Sequence, residues 1–208
     1  MPVFKKMRLF WFATSLAFLT LSLSCDNSLN PDPPKSTTLE IIQKEPNFSI
    51  LNRALERANL SSFYNTQTCT LFAPTNAAFN TFFLNSQGNY TTIEDVPVAQ
   101  LKLLLQYHTV NIAVLTSKNS NVYLNSLAFG PQSTSNSLSL FLKQDGALYN
   151  VNGYAKIINP DFVTLNGVLQ VIDNVLVLPK IVGLLIVNPN LSSYSTALAN
   201  PTDRKSVV

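Results

Sequence analysis

The sequence predicts an α+β fold, and three observations carry that prediction. Apolar residues recur at helical spacing through the first half of the 208-residue chain. From Asn121 onward the period falls to two, and turn dipeptides punctuate the pattern. Between these regimes lies Thr70–Phe79, an apolar run of strand character that stops at Pro74 and resumes as a helix. Helices followed by a hairpin-rich antiparallel sheet is the α+β pattern.

Taken in order, the first element is a short helix begun by Leu39, Ile41 and Ile42 and ended by Pro46, which disfavours helical geometry in the residue before it. Phe48, Leu51, Leu55 and Ala58 then share one helical face, opposite Arg53, Glu56 and Arg57. Thr70–Ala73 is the first strong strand, with Cys69 at its start as a small core residue. Pro74 closes the strand because it has no N–H for the ladder. Thr75 or Asn76 supplies the N-cap of a helix carrying Ala77, Ala78, Phe79, Phe82 and Phe83.

A loop over 85–95 leads to a further helix, on which Val98, Leu101, Leu104, Leu105 and His108 share a face. Gly130–Ser137 reads as a loop. Leu138, Leu140 and Leu142 then alternate with Ser137, Ser139 and Phe141. Asp145-Gly146, Asn152-Gly153 and Asn166-Gly167 predict tight hairpin turns, since these residue types accept positive φ. The strands between and after them are Ala147–Val151, Tyr154–Ile158 and Val168–Ile172.

Three of these blocks resemble the signature segments of the fasciclin domain. Thr70-Leu-Phe-Ala-Pro-Thr-Asn-Ala-Ala-Phe79 is similar to the family's first motif. Asn166-Gly-Val-Leu-Gln-Val-Ile-Asp173 is similar to the second, with Gln170 where the family usually has His. Leu104-Leu-Gln-Tyr107-His108 resembles its Leu-x-Tyr-His segment. The resemblance covers about residues 38–180. It implies a β-sandwich or wedge with helices packed on one side, and it makes Tyr107 and His108 candidate partner-binding residues; the apolar helical face that carries His108 instead predicts a buried, hydrogen-bonded structural histidine.

The ends of the chain read differently. Lys5, Lys6 and Arg8 precede an apolar run from Leu9 to Leu23, about 15 residues where a membrane span needs about 20. Residues 1–24 therefore read as an export signal, and Ser24-Cys25 resembles a bacterial lipoprotein cleavage site, with Cys25 as the lipidated residue and Ser22 where such sites usually have Leu. Residues 25–37, rich in Pro, Asn and Ser, form a linker. At the other end, Val182–Leu198 repeats Leu39–Leu55 with Pro, Asn, Ser, Ala and Leu at matching offsets. Residues 181–208 thus look like the incomplete start of a second repeat, whose apolar side chains invite self-association.

Charge and chemistry narrow the function. Three of the 14 basic residues lie in 1–24, leaving 11 against 11 acidic ones, so nothing points to nucleic acid. His108 is the one histidine, which excludes a multi-histidine metal site. No nucleophile elbow, phosphate-binding glycine loop or Cys-x-x-Cys pair occurs, and Asp173 is expected to accept hydrogen bonds at a strand end. No catalytic, metal or cofactor-binding residue is assigned and no cofactor is implied. The expected function is a non-enzymatic adhesion module, exported and lipid-anchored to the bacterial outer membrane or cell surface, that binds a surface protein or glycan. The alternative is a surface lipoprotein that binds a small apolar ligand or a sugar.

Overall fold

The computed structural model of the chain describes residues 34–130 and 135–178. The expected export signal, Cys25, the linker as far as Pro33 and the repeat over 181–208 lie outside these residues.

Helix α1 (Thr38–Lys44) starts on a reciprocal cap. Thr37 Oγ1 accepts from the Glu40 N–H and the Glu40 carboxylate accepts from the Thr37 N–H, both at 3.2 Å. It ends at Glu45, before Pro46, and buries Leu39 and Ile42. Helix α2 (Ser49–Arg57) buries Leu51, Ala54 and Leu55. Helix α3 (Ser61–Thr66) was not anticipated, because its Ser, Asn and Thr content is that of a loop. It is held by Tyr64, fully buried with its hydroxyl 2.6 Å from Thr109 Oγ1.

Strand β1 (Cys69–Pro74) is buried at every position, which explains a run that is apolar but for Thr70, whose hydroxyl donates to Ile112 O at 2.6 Å. Of the two candidate caps for α4 (Asn76–Asn85), Thr75 takes the role, accepting from the Ala78 N–H at 3.3 Å. Asn76 lies inside the helix and ties it to α2. Its Oδ1 accepts from the Ile50 N–H at 3.0 Å and its Nδ2 donates to Pro46 O and Ser49 Oγ, both at 2.9 Å. Thr75→Ala is therefore expected to cost only about 1 kcal/mol in a denaturant melt, the usual value of one cap. A loss well above that would mean Thr75 carries more than the cap.

Helix α5 (Val98–Tyr107) buries Leu101, Leu104, Leu105 and Tyr107. Val98, expected on that face, is exposed; it sits in the first turn, before the helix reaches the core.

The remaining strands are β2 (Thr109–Val110), β3 (Val122–Phe129), β4 (Ser137–Asp145), β5 (Leu148–Val151), β6 (Ala155–Thr164) and β7 (Gly167–Ile172). Each pairs antiparallel with the next, and β1 pairs antiparallel with β2 and parallel with β7. The α+β class stands, but the layers anticipated as a sandwich or wedge are joined edge to edge into a closed seven-stranded barrel. Closure leaves β1 and β7 paired on both sides.

Two cores arise from strand alternation. Phe72, Leu124, Leu140, Leu142, Val151 and Ile172 meet inside the barrel, joined by Tyr107 from α5. Leu71, Ala73, Leu169 and Val171, on the other faces of β1 and β7, pack against the helices. Cys69 belongs to this second core, as expected.

The turns need small corrections. Asn152 and Gly153 do both take positive φ, 56° and 65°, and Tyr154 N–H closes the turn on Val151 O at 3.1 Å. Asp145, however, still pairs with Leu148, so the first turn is Gly146-Ala147, with only the glycine at positive φ. Likewise Thr164 pairs with Gly167, so the third turn is Leu165-Asn166. Strand β6 also runs past Ile158 to Thr164. Its register shifts on either side of Asn159, and Asp161 takes φ 57°, a bulged stretch that accommodates Pro160.

Candidate functional site

The residues with chemistry are placed by the junctions between helices and barrel. His108 caps the C-terminus of α5 and is 1% exposed. Its Nδ1 lies 2.8 Å from Leu104 O, and its Nε2 accepts from the Leu176 N–H at 2.9 Å. The ring is thus a neutral tautomer that joins α5 to the segment after β7. Burial lowers its pKa to about 4, against a smaller opposing effect of the Leu104 carbonyl.

Tyr107 is 0% exposed. Its hydroxyl donates to Ser139 O at 3.2 Å and accepts from Asn152 Nδ2 at 2.9 Å, and burial pushes its pKa up to about 12. Asn152 Oδ1 also accepts from the Phe141 N–H at 2.8 Å, so the β5–β6 turn, β4 and α5 are locked together. The two residues expected to meet a partner are side by side but face inward.

Asn166 is a second junction. Its Oδ1 accepts from Thr38 N–H at 2.9 Å, while its Nδ2 donates to Tyr64 O and Gln67 O, each at 3.0 Å. One side chain thereby fastens the start of α1 and the end of α3 to the β6–β7 turn. Sequence reasoning saw a turn residue here and missed the clamp.

Gln170 is fully buried and satisfied. Its Nε2 donates to Val114 O at 3.0 Å and to Asp161 Oδ1 at 2.8 Å, and its Oε1 accepts from the Asp161 N–H at 2.8 Å. Asp161 also accepts from Thr116 N–H at 2.7 Å and Ser117 N–H at 3.1 Å. Burial pushes that carboxyl up, but these donors outweigh it and hold it below the usual carboxylate range.

Asp173 sits just after β7 as expected, accepting from Lys156 N–H at 2.8 Å and Asn174 Nδ2 at 2.9 Å. Cys69 is fully buried, and burial pushes its thiol up to about 12, far from a reactive thiolate. Cys25 lies outside the described residues.

What the surface offers is aromatic and apolar. On the outer faces of β3 and β4, Tyr123 lies opposite Phe141 with ring centroids 4.7 Å apart, and Tyr123 is 56% exposed. Alternation places Asn125 and Ser139 beside them at one end and Lys143 at the other. The signal for this patch was present in the sequence: Phe141 occupies a position that serine holds in the preceding alternation, at Ser137 and Ser139.

Two concavities lie elsewhere. One of about 190 Å³ runs between α4 and α5, lined among others by Phe82, Tyr90, Leu103, Leu104, Val177 and Leu178. The second, about 100 Å³, adjoins it across Phe82 and Val177 and reaches Tyr154.

Comparison with known proteins places this geometry. The family model described as fasciclin domain matches residues 46–179. Among solved structures, the chain is similar to a FAS1 domain pair from the insect cell adhesion molecule Fasciclin I. The match has a TM-score of 0.55 and 17% sequence identity, covering 70% of this chain and 52% of that one. The chain thus spans about half the length of that structure, and at this identity the likeness speaks to the fold.

Proposed function

The chain belongs to the fasciclin-domain family, and on that premise we propose that it is an exported, membrane-tethered module for adhesion, binding a surface protein or glycan without catalysing a reaction. The observation that carries this reading is where the reactive residue types go. The one histidine uses both ring nitrogens to hold α5 against the segment after β7, and Cys69 is sealed in the helix-side core. The motif residues Thr75, Asn76 and Asn166 likewise bond inward. The signature of the family is scaffold in this chain, and its outer strands are left to meet a partner.

Tyr123 and Phe141 form the contact we favour. A surface aromatic pair, its rings tilted by 38° and edged by an amide, a hydroxyl and an ammonium group, suits a glycan or a protein loop better than an enclosed small molecule. Each of these two concavities, about 100 and 190 Å³, falls below the roughly 300–1,000 Å³ of small-ligand sites, so neither supports the alternative reading.

Tethering rests on Cys25 at the end of a short apolar segment, with 25–37 as the spacer. More than one acyl chain on Cys25 would give a stable anchor. Cys25→Ser is expected to move the protein from the washed membrane fraction of its host into the soluble one. A mutant that stays with the membrane removes the lipid anchor from the proposal.

Adhesion is tested separately, by attachment of host cells to surfaces coated with the chain. Tyr123→Ala is expected to weaken attachment by roughly ten-fold, the scale of an aromatic hot spot, while leaving the melting transition nearly unchanged. Attachment equal to that of wild type would exclude this face, and no attachment above an uncoated surface for either protein would sink the adhesion reading.

A further inference from the structure

We propose that the fold decides which of three labile pairs in this chain is chemically modified with time. Asp145-Gly146 is the site at which the folded protein forms isoaspartate, while Asn152-Gly153 and Asn166-Gly167 are held against deamidation by their own side-chain bonds. The three pairs share one chemistry. The glycine amide nitrogen attacks the side-chain carbonyl carbon of the residue before it, and glycine has no side chain to shield that nitrogen. A cyclic imide closes; asparagine expels ammonia, and aspartate in its protonated form expels water. Water then opens the imide at either carbonyl, leaving aspartate or isoaspartate, in which the backbone runs through the side-chain carbon. In an unfolded chain the asparagine pairs react first, because a neutral amide accepts a nucleophile more readily than a carboxylate does.

The structure reverses that order. Ring closure needs the asparagine amide to swing onto the next peptide nitrogen, and at both positions the amide is tied elsewhere. Asn152 Oδ1 accepts from the Phe141 N–H at 2.8 Å and its Nδ2 donates to the Tyr107 hydroxyl at 2.9 Å. Its own N–H donates to Phe141 O at 2.8 Å, which fixes the backbone as well. Asn166 Oδ1 accepts from the Thr38 N–H, its Nδ2 donates to Tyr64 O and Gln67 O, and its carbonyl accepts from the Cys69 N–H. Gly167 is pressed against the Cys69 backbone, so its nitrogen has no room to move.

Asp145 is placed differently. It is exposed at the end of β4, and its carboxylate has no partner among the described residues. Gly146 has nothing within 4 Å of the position a Cβ would take, and its carbonyl accepts from the exposed Gln144 side chain at 3.2 Å. The Asp145 carboxyl is free to reach the nitrogen beside it. Tyr107 gains a use that its burial alone does not explain, since its hydroxyl holds the amide that Asn152 would lose.

Peptide mapping by mass spectrometry tests this on the full chain, kept in neutral buffer either folded or in urea. The folded protein is expected to accumulate isoaspartate at Asp145. Asn152 and Asn166 should deamidate at least about ten-fold more slowly than in urea, since each must wait for its clamp to open. Tyr107→Phe, assayed well below its melting transition, keeps the ring but removes the acceptor of Asn152 Nδ2. It should speed deamidation at Asn152 and leave Asn166 slow. Deamidation of either asparagine in the folded chain ahead of isoaspartate at Asp145 would overturn the proposal, as would an Asp145 that reacts only in urea. Equal acceleration of both asparagines in Tyr107→Phe would do the same, by tracing their protection to global stability instead of the Tyr107 hydroxyl.

Discussion

Gly167→Ala is expected to leave little folded protein. A Cβ at this position would lie 1.9 Å from Cys69 O and about 3 Å from two further backbone atoms of the same residue, closer than real contacts allow. Its φ of 156° is also one that side chains rarely adopt. The clash cannot be relieved by turning a side chain, because its partner is the backbone of β1. That strand is held by a parallel ladder from Cys69–Gly167 to Pro74–Ile172, and Cys69 N–H donates to Asn166 O at 3.2 Å. Making room means parting β1 from β7 at the seam where the barrel closes, beside the Asn166 clamp on α1 and α3. A cost above about 4 kcal/mol is expected, a large share of the 5–15 kcal/mol that stabilises a typical domain.

Gly146→Ala is the control. Gly146 also has positive φ, 61°, but nothing lies within 4 Å of its added Cβ, so the loss there should be only about 1 kcal/mol. Denaturant melts of the two variants should differ by at least about 3 kcal/mol. Equal losses would mean that β1 and β7 do not approach as closely as described.

These two glycines show what was legible in the sequence and what was not. Gly146 was readable as a turn residue because positive φ is a local requirement, although the turn itself sits one residue further on. Gly167 carries the same local signature, yet its reason is a backbone about 100 residues earlier in sequence, which no local pattern encodes. The same division holds elsewhere. Amphipathic α2 and the alternating β4 were legible because one face of each packs and the other does not. Helix α3 was not, since it is held by long-range contacts: Tyr64 with Thr109, Asn65 with Thr37, and the Tyr64 carbonyl with Asn166.

Barrel closure was equally hidden. The β1–β7 pairing is long-range, and both strands are buried on two faces, which erases the period that would mark a barrel wall. For the candidate site, the helical face shared with Leu101, Leu104 and Leu105 was enough to read His108 as a buried, hydrogen-bonded residue, which it is, whereas the burial of Tyr107 depends on Ser139 and Asn152 from distant strands and turns. Tyr123 went unnoticed for the opposite reason, as one exposed aromatic among ordinary polar residues.

His108 supplies the second large effect, and its pH dependence separates it from every other group. In His108→Ala, the Leu176 N–H loses its partner inside the fold, Leu104 O keeps only the backbone N–H of residue 108, and the ring leaves a void. Together these are expected to cost about 4 kcal/mol. The acid response of the wild type has its origin in the same burial. The ring titrates near 6.5 in the unfolded chain and at about 4 in the folded one, so between those values only the unfolded chain holds the proton. Stability is therefore complete above about pH 6.5 and falls as the pH drops toward 4, by about 3 kcal/mol over the whole window. Asp95, held at about 2 by Thr91 and Thr92, and Asp161 lose their contributions only at lower pH, as they pick up protons. The chain has no other histidine, so replacing His108 should flatten the profile between pH 7 and 4 while leaving the loss below pH 4 in place. Adhesion measured per folded molecule should stay at the wild-type level in this variant, because the ring is beyond a partner's reach. A His108→Ala protein that keeps wild-type stability and an unchanged acid profile, yet fails to attach, would put the Tyr107-His108 segment on the binding surface and reverse this assignment.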